Sequence, residues 1–255
     1  MKSISNFVAL LWALPGVLLA QNSTVSYLAG GETNNIDYAA YQSAGTLSGA
    51  TSRPLISFEI NDDDSGNPDS DPTKLAYLRV VIENHEYLRS IVLMDGDVSN
   101  TSEIQQLSVN NDTLEFVFTA GNERTINDGA SRTYTIRASF TTDVVDNERI
   151  IITVDSARAA STGSSSFGTW TPFSSSTSGD ANKIEVTATK LVLSSVPTTV
   201  NAGITFSATV RALDATTSWT WTTTLNLHSP KTRGAAHSPV RSRQTIPRVT
   251  IRPQT

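Results

Sequence analysis

Between residues 113 and 154, apolar and polar side chains alternate in three successive runs, Thr113–Thr119, Arg132–Thr142 and Glu148–Val154. In the middle run Tyr134, Ile136, Ala138 and Phe140 fall on one face, with Thr133, Thr135, Arg137 and Ser139 on the other. Successive side chains of a strand point to opposite faces of its sheet, so this period of two predicts a half-buried antiparallel strand. The joints Ala120-Gly121-Asn122, Asn127-Asp128-Gly129 and Asp143–Asn147 consist largely of residues that tolerate turn geometry.

The same pattern runs along most of the chain. Ser23–Leu28 reads as a first strand broken by Gly30-Gly31, and Asn35–Tyr41 as a weaker second one. Ile56, Phe58 and Ile60 alternate with Ser57 and Glu59; the acidic loop Asn61–Asp71 follows, then Leu75–Glu83 with Leu78, Val80 and Ile82 inward. Leu88–Met94 is expected to pair with that strand across Asn84-His85-Glu86, and Asp95-Gly96-Asp97 is a turn. Ile104–Val109 and Leu114–Phe118 are expected to form another hairpin across Asn110-Asn111-Asp112. Ala159–Asp180 is a Ser/Thr/Gly-rich loop, and Lys183–Lys190 a strand with Ile184, Val186 and Ala188 inward. A new unit opens at Leu191–Leu193 and continues through Asn201–Leu213, where Ile204, Phe206, Ala208, Val210 and Ala212 share a face. No heptad or long 3.6-residue period competes, so the fold class is all-β: an antiparallel β-sandwich of immunoglobulin or fibronectin type with a truncated second β module.

Charge breaks at the end of that unit. Residues 1–214 carry 13 basic and 24 acidic side chains, a balance of −11, whereas 215–255 carry six basic side chains and no acid. A basic tail suits anionic surfaces or nucleic acid, and the plainer reading is disorder. We favour a third: translation in a shifted frame. Trp219-Thr220-Trp221-Thr222 must be encoded TGG-ACN-TGG-ACN, and reading from one nucleotide earlier gives [Leu/Val/Met]-Asp-[Leu/Val/Met]-Asp. Such an acidic alternating run continues the strand ending near Asp214. The expected organisation is a signal peptide over 1–20, a β-sandwich over 21–190, the start of a second module over 191–214 and a disordered basic tail over 215–255.

The N-terminus supports export. Lys2, an apolar run from Phe7 to Ala20 and polar Gln21-Asn22-Ser23-Thr24 have the form of a secretory signal. The run is short for a membrane span and contains Pro15, so no span is expected after cleavage. There is no cysteine, which excludes disulfides, a zinc–thiolate site and a thiol nucleophile. A secreted or cell-surface location is therefore expected, with the fold held by its apolar core. Asn22, Asn100 and Asn111 begin glycosylation sequons, which matter only in a eukaryotic secretory route.

Candidate chemistry is sparse. Five carboxylates crowd Asn61–Asp71, and a hard cation would relieve their repulsion, so Asp62, Asp64, Asp69 and Asp71 are candidate Ca²⁺ ligands. Gly66 and the end of the loop do not match EF-hand spacing, and the plainer reading is a solvated turn. Phe167, Trp170 and Phe173, with Tyr77 and Tyr87, are candidates for a sugar-stacking platform; the commoner use of such groups is to cover a sheet edge. His85 near Glu86 and Asp95 supplies no nucleophile–base–orienter set, and no carboxylate pair stands out for glycoside hydrolysis. No enzyme activity and no nucleic-acid partner are expected.

Several turn and strand runs carry a resemblance. Phe58-Glu59-Ile60-Asn61-Asp62, Asp69-Ser70-Asp71, Arg89-Ser90-Ile91, Thr142–Asn147 and Ser178–Ala188 together resemble a recurrent β repeat of large secreted surface proteins from type IX-secreting bacteria. Leu191–Asp214 is similar to the start of the Ig-like module that often follows it, where an acidic Asp-Ala-Asn-Gly-Asn-Leu-Asp-Leu-Asp-type run is expected. The resemblance spans about 190 of the 255 residues and implies a multi-module surface protein ending in a sorting domain. The expected function is a non-catalytic structural or adhesive module that engages an extracellular glycan or surface protein. The rival expectation is a carbohydrate-binding accessory module of a secreted polysaccharide-degrading enzyme.

Overall fold

The computed structural model describes residues 22–62, 70–97, 102–199, 201–214 and 219–228; the expected signal peptide and residues 229–255 lie outside them. Helix among the described residues is confined to two 3-10 turns, Tyr38–Tyr41 and His85–Tyr87. Strands β1 (Asn22–Leu28), β2 (Ile36–Asp37), β3 (Arg53–Asn61), β4 (Thr73–Glu83), β5 (Leu88–Asp95) and β6 (Ser102–Ser108) form the first half. They are followed by β7 (Thr113–Val117), β8 (Arg124–Ile126), β9 (Ser131–Phe140), β10 (Ile151–Ala159), β11 (Ser166–Phe167), β12 (Phe173–Ser174) and β13 (Ile184–Glu185).

Two sheets make an antiparallel sandwich. One has the order β11-β1-β3-β9-β5-β6; the other is β12-β10-β4-β7, with β8 also on β4. Ile56, Phe58 and Ile60 of β3, Ile91 and Leu93 of β5, and Tyr134, Ile136, Ala138 and Phe140 of β9 pack into one buried cluster. From the second sheet Leu78, Val80 and Ile82 of β4, Phe116 of β7, and Ile152 and Val154 of β10 complete it. Phe58 and Tyr134 are cross-strand partners whose rings stack at 5.7 Å. Each such side chain, once buried, contributes roughly 2 kcal/mol. Gly31 abuts β3 so closely that a Cβ there would lie 2.5 Å from Ser57, so the break after β1 requires glycine.

The chain changes sheet more often than the alternation suggests. β4 and β5 are not a hairpin: β4 pairs with β10, β7 and β8, whereas β5 pairs with β9 and β6. Asn84 takes a left-handed conformation and leads into the 3-10 turn, which carries the chain across the sandwich. The second expected hairpin also separates, β6 joining β5 and β7 joining β4. Alternation fixes which side chains face inward but not which strand lies alongside. The expected strand over Lys183–Lys190 shrinks to β13, paired in parallel with β2; Val186 is buried, but Ala188 is exposed.

The central strand β9 is not half-buried but covered on both sides. Residues 45–52 lie over its outer face, where Leu47 packs with Val92 and Met94 and the Leu47 amide donates to Gln106 Oε1 at 2.7 Å. Arg137, 3% exposed, donates to Ser52 Oγ at 3.1 Å, the Ser52 carbonyl at 2.7 Å and the Gly49 carbonyl at 2.9 Å. Burial, and then the charge of Arg53, press its guanidinium below the usual arginine pKa.

The chain divides into two compact units, one running to Leu191 and including Ala212–Trp221, the other holding Val192–Arg211 and the chain from Thr222. The second carries most of a three-stranded sheet, β14 (Lys190–Ser194), β15 (Thr205–Leu213) and β16 (Trp219–His228). Within residues 215–255, expected to be a disordered basic tail, Trp219–His228 is assigned to β16. That stretch places Trp219, Trp221, Leu225 and Leu227 at alternate positions among β-branched threonines, a pattern suited to a strand. Ala208, Val210 and Ala212 are buried as expected, while Ile204 is 56% exposed.

Replacing Arg137 by Ala should release residues 45–52, costing about 2 kcal/mol in chemical denaturation; unchanged amide exchange in that segment would contradict the tether. Burial holds the Tyr134 hydroxyl at a pKa of about 12, and burial with a hydrogen bond to Glu32 does the same for Tyr27. An unfolded tyrosine ionises near 10, so this stability is complete below that pH and drains away as pH rises toward 12. Alkaline unfolding followed against phenolate absorbance should show it. Tyr134→Phe, which removes a hydroxyl with no hydrogen-bond partner among the described residues, should be close to neutral at pH 7 and flatten the alkaline loss.

Candidate functional site

Asp62 follows directly on β3 and is buried in the protein. It is 2% exposed, and its Oδ1 accepts from Thr73 Oγ1 and from Ser23 Oγ at 3.3 Å, while Oδ2 accepts the Gly129 amide at 3.2 Å. The hydroxyls of Ser23 and Thr73 also bond to each other. This buried carboxylate ties β1, β3, the start of β4 and the turn before β9 at one end of the sandwich. Asp71 is exposed, and Asp64 and Asp69 lie outside the described residues. Among the described residues no group of three or more His, Asp or Glu is placed to hold a metal.

The three aromatics of the long loop do come together. The rings of Phe167 and Trp170 meet edge to face at 6.0 Å, Trp170 and Phe173 lie 6.2 Å apart, and Phe173 reaches core Phe58 at 6.0 Å. All three are half-buried and pack against the core cluster, beside β1 and at the edge formed by β11 and β12. A small depression of 230 Å³ opens between Trp170, Phe167 and Ser23–Val25. Tyr87 packs on the core at the opposite turn, and Tyr77 lies on the outer face of the second sheet, so these five residues do not form one platform.

Elsewhere the charged groups serve the scaffold. Asp95 accepts a two-pronged bond from Arg132 and lies 3.6 Å from Arg124, well removed in role from His85, which sits 3.8 Å from Glu86. Arg79 of β4 makes a two-pronged bond to Asp155 of β10. Arg149 donates to the carbonyls of Ala181 at 2.7 Å and Gly179 at 2.8 Å, while Asp146 Oδ1 accepts the Val186 amide at 2.9 Å. Two of the runs that carry the family resemblance, Thr142–Asn147 and Ser178–Ala188, thus brace each other as structure.

A further concavity is one that sequence reasoning passed over. On the outer face of the second sheet a shallow groove of 750 Å³ is lined by Lys74, Tyr77, Val117, Glu123, Arg158 and Thr162, among others. The Arg158 guanidinium lies 3.9 Å from the centre of the Tyr77 ring, and Tyr77 donates to Glu115 at 2.6 Å. Burial first, then the bond to Glu115, raise the pKa of that phenol. The register between β4 and β10 shifts between Tyr77 and Leu75, which brings Lys74 and Tyr77 into the same groove although they are three residues apart. The available signal was Tyr77 itself, an aromatic in the polar phase of a strand whose inward positions are Leu78, Val80 and Ile82.

Asp62→Ala should cost about 3 kcal/mol, because it leaves one hydroxyl of the buried Ser23–Thr73 pair and the Gly129 amide without an acceptor. Denaturant titration with and without Ca²⁺ checks it: loss of stability in both conditions supports a structural Asp62, whereas a loss confined to the Ca²⁺ sample would make it a metal ligand.

No protein-family model matches this chain, and no curated protein matches it. Among solved structures, that of GH31 CBM32-2 bound to GalNAc aligns with 47% of this chain and 98% of its own length, at 8% identity and a TM-score of 0.22, too low to assign a family.

Proposed function

We propose that the chain is a non-catalytic, exported β-sandwich module of a larger surface protein, with a structural or adhesive role. The observation that supports this reading is where its ionisable groups are used. Asp62 ties strand ends, Asp95 holds Arg132 and Arg124, Asp155 holds Arg79, and Arg137 and Arg149 clamp loop carbonyls. Such groups stiffen a scaffold and its turns. An adhesive or spacer module needs that rigidity, and it presents recognition surfaces on the sheet faces and loops instead of in a deep cleft.

A carbohydrate-binding role is the second reading, favoured by one observation, the groove over Tyr77 and Arg158. The aromatic row Phe167–Trp170–Phe173 speaks less for it, since those rings pack on Phe58 and the core. Retention of the chain on insoluble polysaccharides, together with a glycan array, tests the role of that row. Trp170→Ala should leave retention unchanged and lower stability by about 2 kcal/mol, since it empties a half-buried site. Loss of retention with an unaltered melting curve would instead make Trp170 a sugar platform and favour the accessory-module reading.

A further inference from the structure

We propose that the groove on the outer face of the β10-β4-β7 sheet is a binding site for an acidic glycan, with Lys74 and Arg158 as its anion-recognising groups. The proposal deepens the adhesive reading and rests on it for the setting in which such a ligand is met.

Four observations converge on the groove. First, Lys74 and Arg158 both line it, and among the described residues neither has a carboxylate partner, whereas Arg79, Arg124 and Arg132 each do. Residues 1–214 carry a balance of −11, so two cations lining one groove stand against the net charge of the chain around them. Second, Arg158 is pre-positioned. Its guanidinium rests over Tyr77, and Tyr77 is itself held by its bond to Glu115, so little freedom is lost when an oxyanion docks on the exposed donors. A planar guanidinium matches a carboxylate or sulfate through two parallel bonds, and the more mobile ammonium adds a second charge.

Third, the groove also has an apolar wall. Val117, the cross-strand partner of Tyr77 on β7, is 53% exposed, and Ala76, Ala120 and Ala160 line the groove with it. Apolar groups beside cations suit a sugar ring, whose C–H face needs contact while its acid group needs charge. Fourth, the rim carries the hydroxyls of Thr125, Ser161 and Thr162, which can exchange hydrogen bonds with ring hydroxyls. The one acid in the lining, Glu123, already accepts the Gly121 amide at 2.7 Å. Lys74 is set by its own backbone: its amide donates to Ser164 Oγ at 2.8 Å and its carbonyl accepts the Ala160 amide at 2.8 Å.

The test is calorimetric titration of the full chain with three probes of equal length: a hexuronic-acid oligomer, a sulfated oligosaccharide, and the carboxyl-reduced, neutral form of the first. The acidic probes should bind and the neutral one should not, with affinity falling as salt rises. Arg158→Ala and Lys74→Ala should each weaken binding ~10-fold or more, and Arg158→Lys less than Arg158→Ala. Lys183→Ala, which breaks a surface pair with Asp180, should have no effect. Binding by only one acidic probe supports the site and fixes whether carboxylate or sulfate is read. Equal binding of the neutral probe, no binding of any probe, or indifference to both substitutions overturns it. Equally tight binding of poly-glutamate would also overturn it, by showing that charge alone is recognised. Retention on neutral polysaccharide that survives Arg158→Ala would sink the groove but leave the adhesive reading. Binding of free acidic oligomer without capture of beads coated with the chain would keep the groove and sink adhesion.

Discussion

The fold depends on β9 being covered from both sides. Its inward face, Tyr134, Ile136, Ala138 and Phe140, meets the opposite sheet, and its outward face is roofed by residues 45–52 through Arg137 and Leu47. With no cysteine in the chain, no covalent crosslink shares this work. The neighbours β3 and β5 are aligned by pairing with β9, and Phe58 and Tyr134 stack across one of those pairings. A buried arginine is tolerable here because backbone carbonyls and a hydroxyl surround it, and a carbonyl-lined seat for guanidinium fixes the roof in one position.

Around that centre, polar side chains close the ends of the sandwich. Asp62 gathers Ser23, Thr73 and the Gly129 amide at one end; Arg149 and Asp146 bind the Ser178–Ala188 run at another place. The first looks like candidate chemistry when read as a string of carboxylates, the second like a pair of turns. In three dimensions they satisfy backbone and hydroxyl groups that burial would otherwise leave unpaired, which is the ordinary use of short polar side chains at strand ends.

This division of labour leaves one surface with a different character. The inner faces of both sheets are apolar and the outer face of the first is roofed over β9 and β5, but the outer face of the second combines an arginine stacked on tyrosine, a lysine and an exposed valine. The second unit differs again. Leu191, Leu193 and Val196 are exposed in it or at its start at 62%, 60% and 49%, as expected of a β layer too small to bury its own apolar side chains.

What the sequence determined by itself was the phase of each strand. The alternation around Tyr134–Phe140, Leu78–Ile82 and Ile56–Ile60 identified inward residues correctly, because a one-residue error would invert every side chain. The absence of helical periodicity settled the all-β class for the same reason. Partner choice was not legible: β4 and β5 read as a hairpin yet sit in opposite sheets, since strand pairing is decided by which crossing lets both apolar faces meet. Nor could alternation show that the polar face of β9 is buried, because Arg137 looks solvent-facing until residues 45–52 arrive from far along the chain, and Thr135 until Ser57 and Gly96 meet it. The same holds for the groove. Lys74 and Tyr77 are close in sequence, but Arg158 and Val117 reach them only through the β10 and β7 pairings and the shifted register near Leu75. Local periodicity encodes faces, and contacts between distant segments decide what those faces meet.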